Sequence, residues 1–147
     1  MTGYLLDTNV ISALEPGRAR RSPQLAQWLE ARSDRLYLSV ISAIEIEAGI
    51  RNLRRAHSLA RAHALDAWLT ETVQVYGDRI LALDLTIARV AGMIADRVKA
   101  TGRIPGLADV VIAATARVHD LLVLTAHSKD FAATGVSHLN PFQSLPD

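Results

Sequence analysis

Short apolar runs alternate along the chain with longer segments whose apolar residues recur at helical spacing. The apolar runs predict strands at residues 3–6, 36–40, 80–83, 121–125 and 136–139. The segments between them predict helices at residues 10–14, from residue 23, from about residue 40 to 55, and at residues 57–76, 87–99 and 107–116. Strands that alternate with helices indicate an α/β protein with a parallel sheet and helices on both of its faces.

Two helices have especially clear signals. Ser22-Pro23 combines a favoured N-cap residue with proline at the first helical position. The helix from residue 107 is apolar or small at every position from residue 110 to 116, so it is predicted to be buried on all sides. In the helix at residues 57–76, we expect Leu59, Leu65, Trp68 and Val75 to face the core.

Composition narrows the class of protein. The 147 residues fit a single domain, 1–147, and the chain has no cysteine, which excludes disulfides and thiolate chemistry. No signal peptide or membrane-length apolar run is apparent, so we expect a cytoplasmic protein without membrane contact. The net charge of +1 does not itself indicate nucleic-acid binding, although arginines cluster at residues 18, 20 and 21.

Asp7 directly follows the first predicted strand. Open parallel sheets bind their ligands beyond the carboxyl ends of the strands, where this carboxylate would lie. The alternative is that Asp7 or Thr8 caps the helix that follows.

Glu45 lies on the helix after the second strand, on a face of apolar and small residues. Ser42 and Glu45 have the spacing of a capping box, which would give the glutamate a purely structural role, although Ser39 competes for the cap position. A glutamate on such a face could equally line a site.

Asp109 stands in the first turn of the most apolar helix. A contact with the helix dipole contributes only about 0.3–1 kcal/mol, whereas an unpaired buried carboxylate costs several kcal/mol. No lysine or arginine lies within one turn of it in the sequence, which favours a metal ion as its partner.

His127 and Asp130 follow the fourth strand at the same edge of the predicted sheet. Several oxygen donors without a compensating lysine or arginine are typical of a hard divalent cation such as Mg²⁺. A bound cation of this kind activates water and neutralises charge on a phosphoryl group, which indicates phosphodiester hydrolysis.

Four motifs in this order resemble the PIN-domain ribonucleases, and within them the VapC-type toxins of prokaryotic toxin–antitoxin pairs. They are Leu5-Leu6-Asp7-Thr8-Asn9, Leu38-Ser39-Val40 leading to Glu45, Ala108-Asp109-Val110-Val111-Ile112-Ala113-Ala114, and Leu124-Thr125 leading to Asp130-Phe131. The resemblance covers nearly the whole chain. It implies a three-layer α/β/α fold with a four- to five-stranded parallel sheet, and an endoribonuclease that requires Mg²⁺ or Mn²⁺ and cleaves tRNA or rRNA.

By position, Asp7, Asp109 and Glu45 match the family's acidic metal-binding and catalytic residues. The last motif departs from the family pattern of Thr-Arg-Asn or Thr-Arg-Asp, since this chain has Thr125-Ala126-His127. The fourth member of the site is therefore left open between His127 and Asp130.

The resemblance also implies partners. We expect an RNA substrate, a cognate antitoxin, a homodimer, and no direct contact of this chain with DNA. Thr8, Asn9, Ser39, Arg18 and Arg20 are the candidates for RNA contact.

Two alternatives remain from the sequence. One is another Mg²⁺-dependent phosphotransfer enzyme, such as a haloacid-dehalogenase-like phosphatase, although that family needs a second aspartate where this chain has Asn9. The other is a binding domain that keeps the fold without catalysis.

Overall fold

The computed structural model describes residues 2–147, which form five parallel strands and seven α-helices. The strands are β1 Tyr4–Leu6, β2 Leu36–Ser39, β3 Ile80–Leu81, β4 Leu122–Leu124 and β5 His138–Leu139. The helices are α1 Thr8–Ile11, α2 Pro23–Ala31, α3 Val40–Arg55, α4 Leu59–Tyr76, α5 Leu85–Ala100, α6 Leu107–His119 and α7 Ser128–Thr134. Among the described helices, none has the length and apolar character needed to cross a membrane.

The strand order β3-β2-β1-β4-β5 puts β1 at the centre of the sheet. The chain passes from β1 to β2 on one side, and β4 pairs with β1 on the other, so the strand order reverses beside β1. In the register of the sheet, Leu6 lies opposite Leu124. The residues that follow them, Asp7 and Thr125, therefore leave the sheet side by side at the reversal point, where open α/β sheets bind ligands.

Successive side chains of β1 point to opposite faces of the sheet and enter two different cores. Tyr4 and Leu6 pack with residues of α1 to α4, whereas Leu5 packs with residues of α5, α6 and α7. This alternation confirms the predicted arrangement of helices on both faces of a parallel sheet.

Helix α6 is the main element of the second core. Its residues from Val110 to Ala116 are all buried, as the sequence predicted. The predicted start of α2 at Pro23 is also confirmed, but the Ser22 side chain forms no capping hydrogen bond.

The strands are shorter than the apolar runs that predicted them. β3 ends at Leu81 and β5 begins only at His138, although the Ser137 carbonyl just before β5 accepts from the Val123 N–H at 3.1 Å. Leu83, predicted in the third strand, is 44% exposed. In α4 the expectation for Leu59 and Val75 was wrong, since they are 59% and 64% exposed. Leu59 is the first residue of the helix, and Val75 lines an open groove with Leu14 and Trp68 instead of entering the core.

Candidate metal centre

Asp7 is held by three hydrogen bonds at the end of β1. Its Oδ1 accepts from the Thr8 backbone N–H at 2.8 Å, and its Oδ2 accepts from Asn9 Nδ2 at 2.9 Å and from Thr125 Oγ1 at 2.7 Å. The side chain is buried, with 5% of the residue exposed. Asp7 is thus the N-cap of α1, as the structural alternative predicted, and its carboxylate also lies in the candidate centre.

Asp109 lacks the hydrogen bonds that hold Asp7. Within residues 2–147 its carboxylate takes part in no side-chain hydrogen bond and in no ion pair with a lysine or arginine. Its pKa is raised from 3.8 to about 6, mainly by burial and further by the negative charges of Asp7, Asp130 and Glu45, while His127 opposes the rise. A half-buried carboxylate in this field is stabilised by any cation that reaches it.

The imidazole of His127 lies close to these two carboxylates. Ligand atoms of Asp7, Asp109 and His127 all lie within 4.8 Å of one another; we call these three residues the acidic centre. Asp7 is buried, Asp109 is intermediate and His127 is exposed, so the centre opens to solvent on the histidine side. His127 is fixed at the start of α7, where its backbone N–H donates to Thr125 Oγ1 at 2.9 Å.

Asp130 has a different neighbour. Its Oδ1 lies 2.6 Å from the Arg103 guanidinium, in a pair whose side chains are both 45% exposed. Arg103 comes from the loop before α6, and the two residues line a small cavity together with Asp109. The geometry therefore brings His127 into the acidic centre and leaves Asp130 at its border.

Glu45 lies beside the acidic centre without belonging to it. Its Oε1 is 2.6 Å from Thr8 Oγ1, which also lies 2.8 Å from Ser42 Oγ. A hydroxyl has a single proton, so Thr8 donates to the charged carboxylate at the shorter distance and accepts from Ser42. The capping-box alternative for Ser42 and Glu45 is wrong, since Ser39 caps α3 by accepting from the Ile41 N–H.

The candidates for RNA contact separate into three groups. Thr8 and Asn9 lie in the site but bind Glu45 and Asp7, and the Asn9 Oδ1 also accepts from the Ala126 N–H. Ser39 is only 1% exposed and serves as a helix cap, so the expectation of an RNA contact there was wrong.

The two arginine candidates lie outside the acidic centre. Arg18 is exposed and pairs with Glu15 at 3.2 Å, and Arg20 is exposed on a short 3-10 turn spanning Ala19–Arg21. Both remain on an accessible surface.

Sequence reasoning missed three polar residues of the site. Thr125 belongs to the last of the four motifs, but no role in the site was predicted for it, although a polar residue at the end of a strand next to β1 is a signal of the same kind as Asp7. Ser42 was predicted as a possible cap and as a small residue on the face of Glu45, and its contact with Thr8 was not predicted. Arg103 lies six residues before Asp109 in an irregular loop, and only the tertiary structure brings it to Asp130.

The whole arrangement agrees with a family of known proteins. Residues 4–136 match the family model of the PIN domain. The chain belongs to the PIN-domain family. This confirms the resemblance found in the sequence, and the three-layer α/β/α fold with a parallel sheet is the one that it implied.

Curated relatives match this chain over nearly their whole length. The chain is 33% identical to VapC ribonuclease Y4jK of Sinorhizobium fredii, over 95% of this chain and 97% of the relative. It is also 33% identical to the toxin FitB of Neisseria gonorrhoeae, over 94% of this chain and 97% of that protein.

Solved structures give the same picture. FitAcB from Neisseria gonorrhoeae superimposes with a TM-score of 0.79 at 32% identity, covering 95% of this chain and 98% of the matched chain. A toxin–antitoxin complex from Klebsiella pneumoniae superimposes with a TM-score of 0.68 at 25% identity, with 95% and 98% covered.

Proposed function

We propose that this PIN-domain protein, taken as a single nuclease domain over residues 1–147, is a Mg²⁺-dependent endoribonuclease. In this proposal it is the toxin of a type II toxin–antitoxin system and cleaves phosphodiester bonds in structured RNA, either tRNA or rRNA. The observation that carries the proposal is the acidic centre, in which two carboxylates and an imidazole converge within 4.8 Å beside the reversal point of the sheet.

The donor set fits a divalent cation. Asp7 is oriented by three hydrogen-bond donors, which is the arrangement that supporting residues give to a metal-binding carboxylate. Asp109 forms no ion pair with a lysine or arginine of the described chain, and burial together with the charges of Asp7 and Asp130 raises its pKa. Carboxylate oxygens suit Mg²⁺, while the imidazole of His127 suits Mn²⁺ better, so Mn²⁺ is a second candidate.

Each residue has a distinct task in this proposal. Asp7 and Asp109 hold the cation, which when bound supplies activation of water and neutralisation of phosphate charge. Glu45 is exposed, and Thr8 fixes only one of its two carboxylate oxygens, so the other is free to accept a proton from the attacking water. His127, at the open side of the centre, would contact the RNA phosphate in this proposal.

The alternative functions have weaker support. At the position where a haloacid-dehalogenase-like phosphatase would need its second aspartate, the Asn9 amide donates to Asp7, so no acid is supplied there. A binding domain without catalysis is less favoured, because one relative of this chain is named as a ribonuclease and another as a toxin.

The proposed partners follow from the relatives of this chain. Relatives of this chain include a protein named as a toxin and a solved toxin–antitoxin complex. We expect a cognate antitoxin to insert an arginine or lysine into the acidic centre in competition with the metal. Homodimer formation, a cytoplasmic location and the absence of direct DNA contact complete the proposal.

The test is an RNA cleavage assay with the purified protein. Total RNA is incubated with MgCl₂, with MnCl₂ or with excess chelator, and products are separated on a denaturing gel. Discrete fragments that require the metal and disappear with Asp109→Asn support the proposal. Equal cleavage in chelator, or none in either metal, refutes it.

Expression in a bacterial host separates a toxin from a housekeeping nuclease. A toxin arrests growth when expressed alone, and co-expression of its antitoxin restores growth. Harmless expression of folded, RNA-active protein contradicts the toxin assignment and leaves the nuclease assignment intact.

A further inference from the structure

A cleft of the protein surface begins at a residue that touches the acidic centre. Asn9 donates its side-chain amide to Asp7 and also lines an open cavity of about 130 Å³ with Arg18, Arg21 and Phe142. A second cavity of about 440 Å³ adjoins it and shares Arg21 and Phe142. We call the two cavities together the Phe142 cleft.

Phe142 is the aromatic residue of this cleft, and it is 45% exposed. Its position is fixed on both sides. Its own N–H donates to Asn140 Oδ1 at 3.0 Å, and four residues later the Pro146 carbonyl accepts from the buried Trp28 indole at 3.1 Å. The C-terminal segment is therefore fastened to α2, and the phenyl ring is offered to solvent from a held backbone.

The charge of the cleft is positive. Arg18 is partly neutralised by Glu15, but Arg21 forms no ion pair with any residue that the structure describes. The larger cavity also has Gln24 and Gln143 in its lining, which supply amide donors and acceptors. Its volume of about 440 Å³ lies in the range of pockets that hold small ligands, roughly 300–1,000 Å³.

We propose that the Phe142 cleft binds one unpaired nucleotide of the RNA next to the cleaved bond, with its base stacked on Phe142 and its phosphate bound by Arg21. This inference rests on the proposed ribonuclease function and adds a substrate-binding site to it. An aromatic ring beside a free arginine is the combination with which proteins bind single-stranded nucleic acid. The larger cavity has apolar residues in its lining as well, namely Pro23, Leu25, Pro141 and Leu145. A protein partner is nevertheless the less favoured occupant, because both cavities include Arg21 and because Asn9 connects the cleft to Asp7 of the acidic centre.

The experiment measures RNA binding separately from cleavage. A fluorescein-labelled ten-nucleotide single-stranded RNA of mixed sequence is titrated with the Asp109→Asn protein, and anisotropy gives the dissociation constant. Phe142→Ala in that background should weaken binding about tenfold, equivalent to about 1.4 kcal/mol, whereas Phe142→Tyr keeps the stacking surface and should bind within about twofold. A duplex of the same sequence should not distinguish the variants, because its bases are already stacked.

Arg21→Gln tests the phosphate contact. It should weaken binding and lower the slope of log affinity against log salt by about 0.7, while Arg21→Lys keeps the slope. Two exposed residues far from the cleft in sequence, Met93 on α5 and Arg61 on α4, supply the matched controls Met93→Ala and Arg61→Gln, which should leave binding unchanged.

The outcomes separate this inference from the function on which it rests. If wild type cleaves RNA but Phe142→Ala binds the oligonucleotide as tightly as Met93→Ala does, the cleft is not a nucleotide site and the ribonuclease assignment stands. If Phe142→Ala leaves RNA binding intact but abolishes binding of the co-expressed antitoxin, the cleft belongs to a protein partner. If wild type neither cleaves nor binds RNA, both proposals fail.

Discussion

The Thr125 hydroxyl donates to Asp7 Oδ2 at 2.7 Å and joins two residues that are 118 positions apart in the sequence. Both are buried, with Thr125 fully inaccessible and Asp7 5% exposed. Because Leu6 and Leu124 are paired in the sheet, the register of β1 and β4 itself sets this distance. The same hydroxyl accepts from the His127 N–H, so Thr125 positions both of its neighbours in the acidic centre.

Thr125→Val should therefore lower both the stability of the protein and its affinity for metal, while the shape of the side chain is preserved. Valine keeps the branched side chain but removes a hydrogen bond to a charged group, which costs about 2 kcal/mol of unfolding free energy. Loss of a residue that orients a metal ligand should also lower Mn²⁺ affinity by about 10–100-fold. Thr125→Ser keeps the hydroxyl and is the matched control. Chemical denaturation and metal titration measure the two effects, and a valine variant equal to the serine variant in both contradicts the assigned role.

Asp109→Asn should abolish metal-dependent RNA cleavage without destabilising the metal-free fold. Its folded-state pKa of about 6 lies above 3.8, so the protonated form is favoured on folding and the charged form at neutral pH is a cost. Removing that charge should leave the unfolding free energy at pH 7 unchanged or raise it by about 1 kcal/mol, after allowance for solvent screening. Urea denaturation in chelator checks the stability, and the gel assay checks the activity.

The control for this change is Asp96→Asn on α5, because Asp96 is exposed and lies outside the described ion pairs. It should retain wild-type cleavage. Cleavage by Asp109→Asn at a rate close to that of wild type would overturn the assignment of the metal centre.

Metal binding should depend on pH because Asp109 has to lose its proton. In the metal-free protein, folding favours the protonated form of Asp109. This contribution to stability is fully present below about pH 4 and is lost as the pH rises through about 6, whereas the metal requires the charged form. Mn²⁺ affinity should thus fall about tenfold per unit below pH 6. At 100-fold excess over the dissociation constant the ion stabilises by about 2.7 kcal/mol, and a tenfold loss of affinity about halves that.

Thermal unfolding at pH 7.5 and pH 5 with and without Mn²⁺ measures this dependence. The double variant with asparagine at positions 7 and 109 should show no metal-dependent shift at either pH. A wild-type shift that is the same size at both pH values contradicts proton-coupled binding at Asp109.

The sequence predicted the order and kind of the strands because each carries a short apolar run between helical segments. It overestimated the length of β3 and β5, since hydrophobicity continues beyond the residues that join the ladder, as at Leu83. Strand ends predicted the position of Asp7 and of the residues after β4 at one edge of the sheet, and the buried helix α6 drew attention to Asp109 in its first turn. The structure brings Asp7, Asp109 and His127 together there.

Contacts between side chains distant in sequence were beyond that reasoning. The Thr8–Glu45 bond depends on how α3 packs beside α1, and the Arg103–Asp130 pair depends on the path of an irregular loop. For Ser39 the sequence predicted too much. This polar residue at a strand end was expected to contact RNA, but its side chain is buried and caps α3.

Thr8 should act through Glu45. Its hydroxyl lies 2.6 Å from Glu45 Oε1, and Glu45 has no other side-chain hydrogen bond in the described chain. Thr8→Val should lower kcat about tenfold, equivalent to about 1.4 kcal/mol, with little change in KM because the carboxylate remains but loses its orientation. Thr8→Ser should stay close to wild type. A valine variant that raises KM instead would indicate that Thr8 contacts RNA directly.

His127 and Asp130 compete for the role of fourth site member, and their surroundings predict different results. The His127 ring lies with the carboxylates of Asp7 and Asp109 at the open side of the centre. His127→Ala should therefore lower cleavage by roughly tenfold, or about 1.4 kcal/mol, which is far less than the loss from Asp7, Glu45 or Asp109 substitutions. If His127→Asp raises activity at low Mg²⁺, position 127 is a ligand position that histidine fills incompletely.

Asp130→Ala should have a smaller effect on catalysis, because its carboxylate is already paired with Arg103. An exposed ion pair contributes about 0.2–1 kcal/mol, so a double-mutant cycle with Arg103→Gln should give a coupling energy in that range for stability. Loss of Asp130 also removes one of the charges that raise the pKa of Asp109, so any metal-dependent activity of Asp130→Ala should extend to lower pH than that of wild type. If Asp130→Ala instead lowers metal-dependent RNA cleavage as much as Asp109→Asn does, the assignment changes. Asp130 would then leave Arg103 when the metal binds, and Asp130, not His127, would be the fourth ligand.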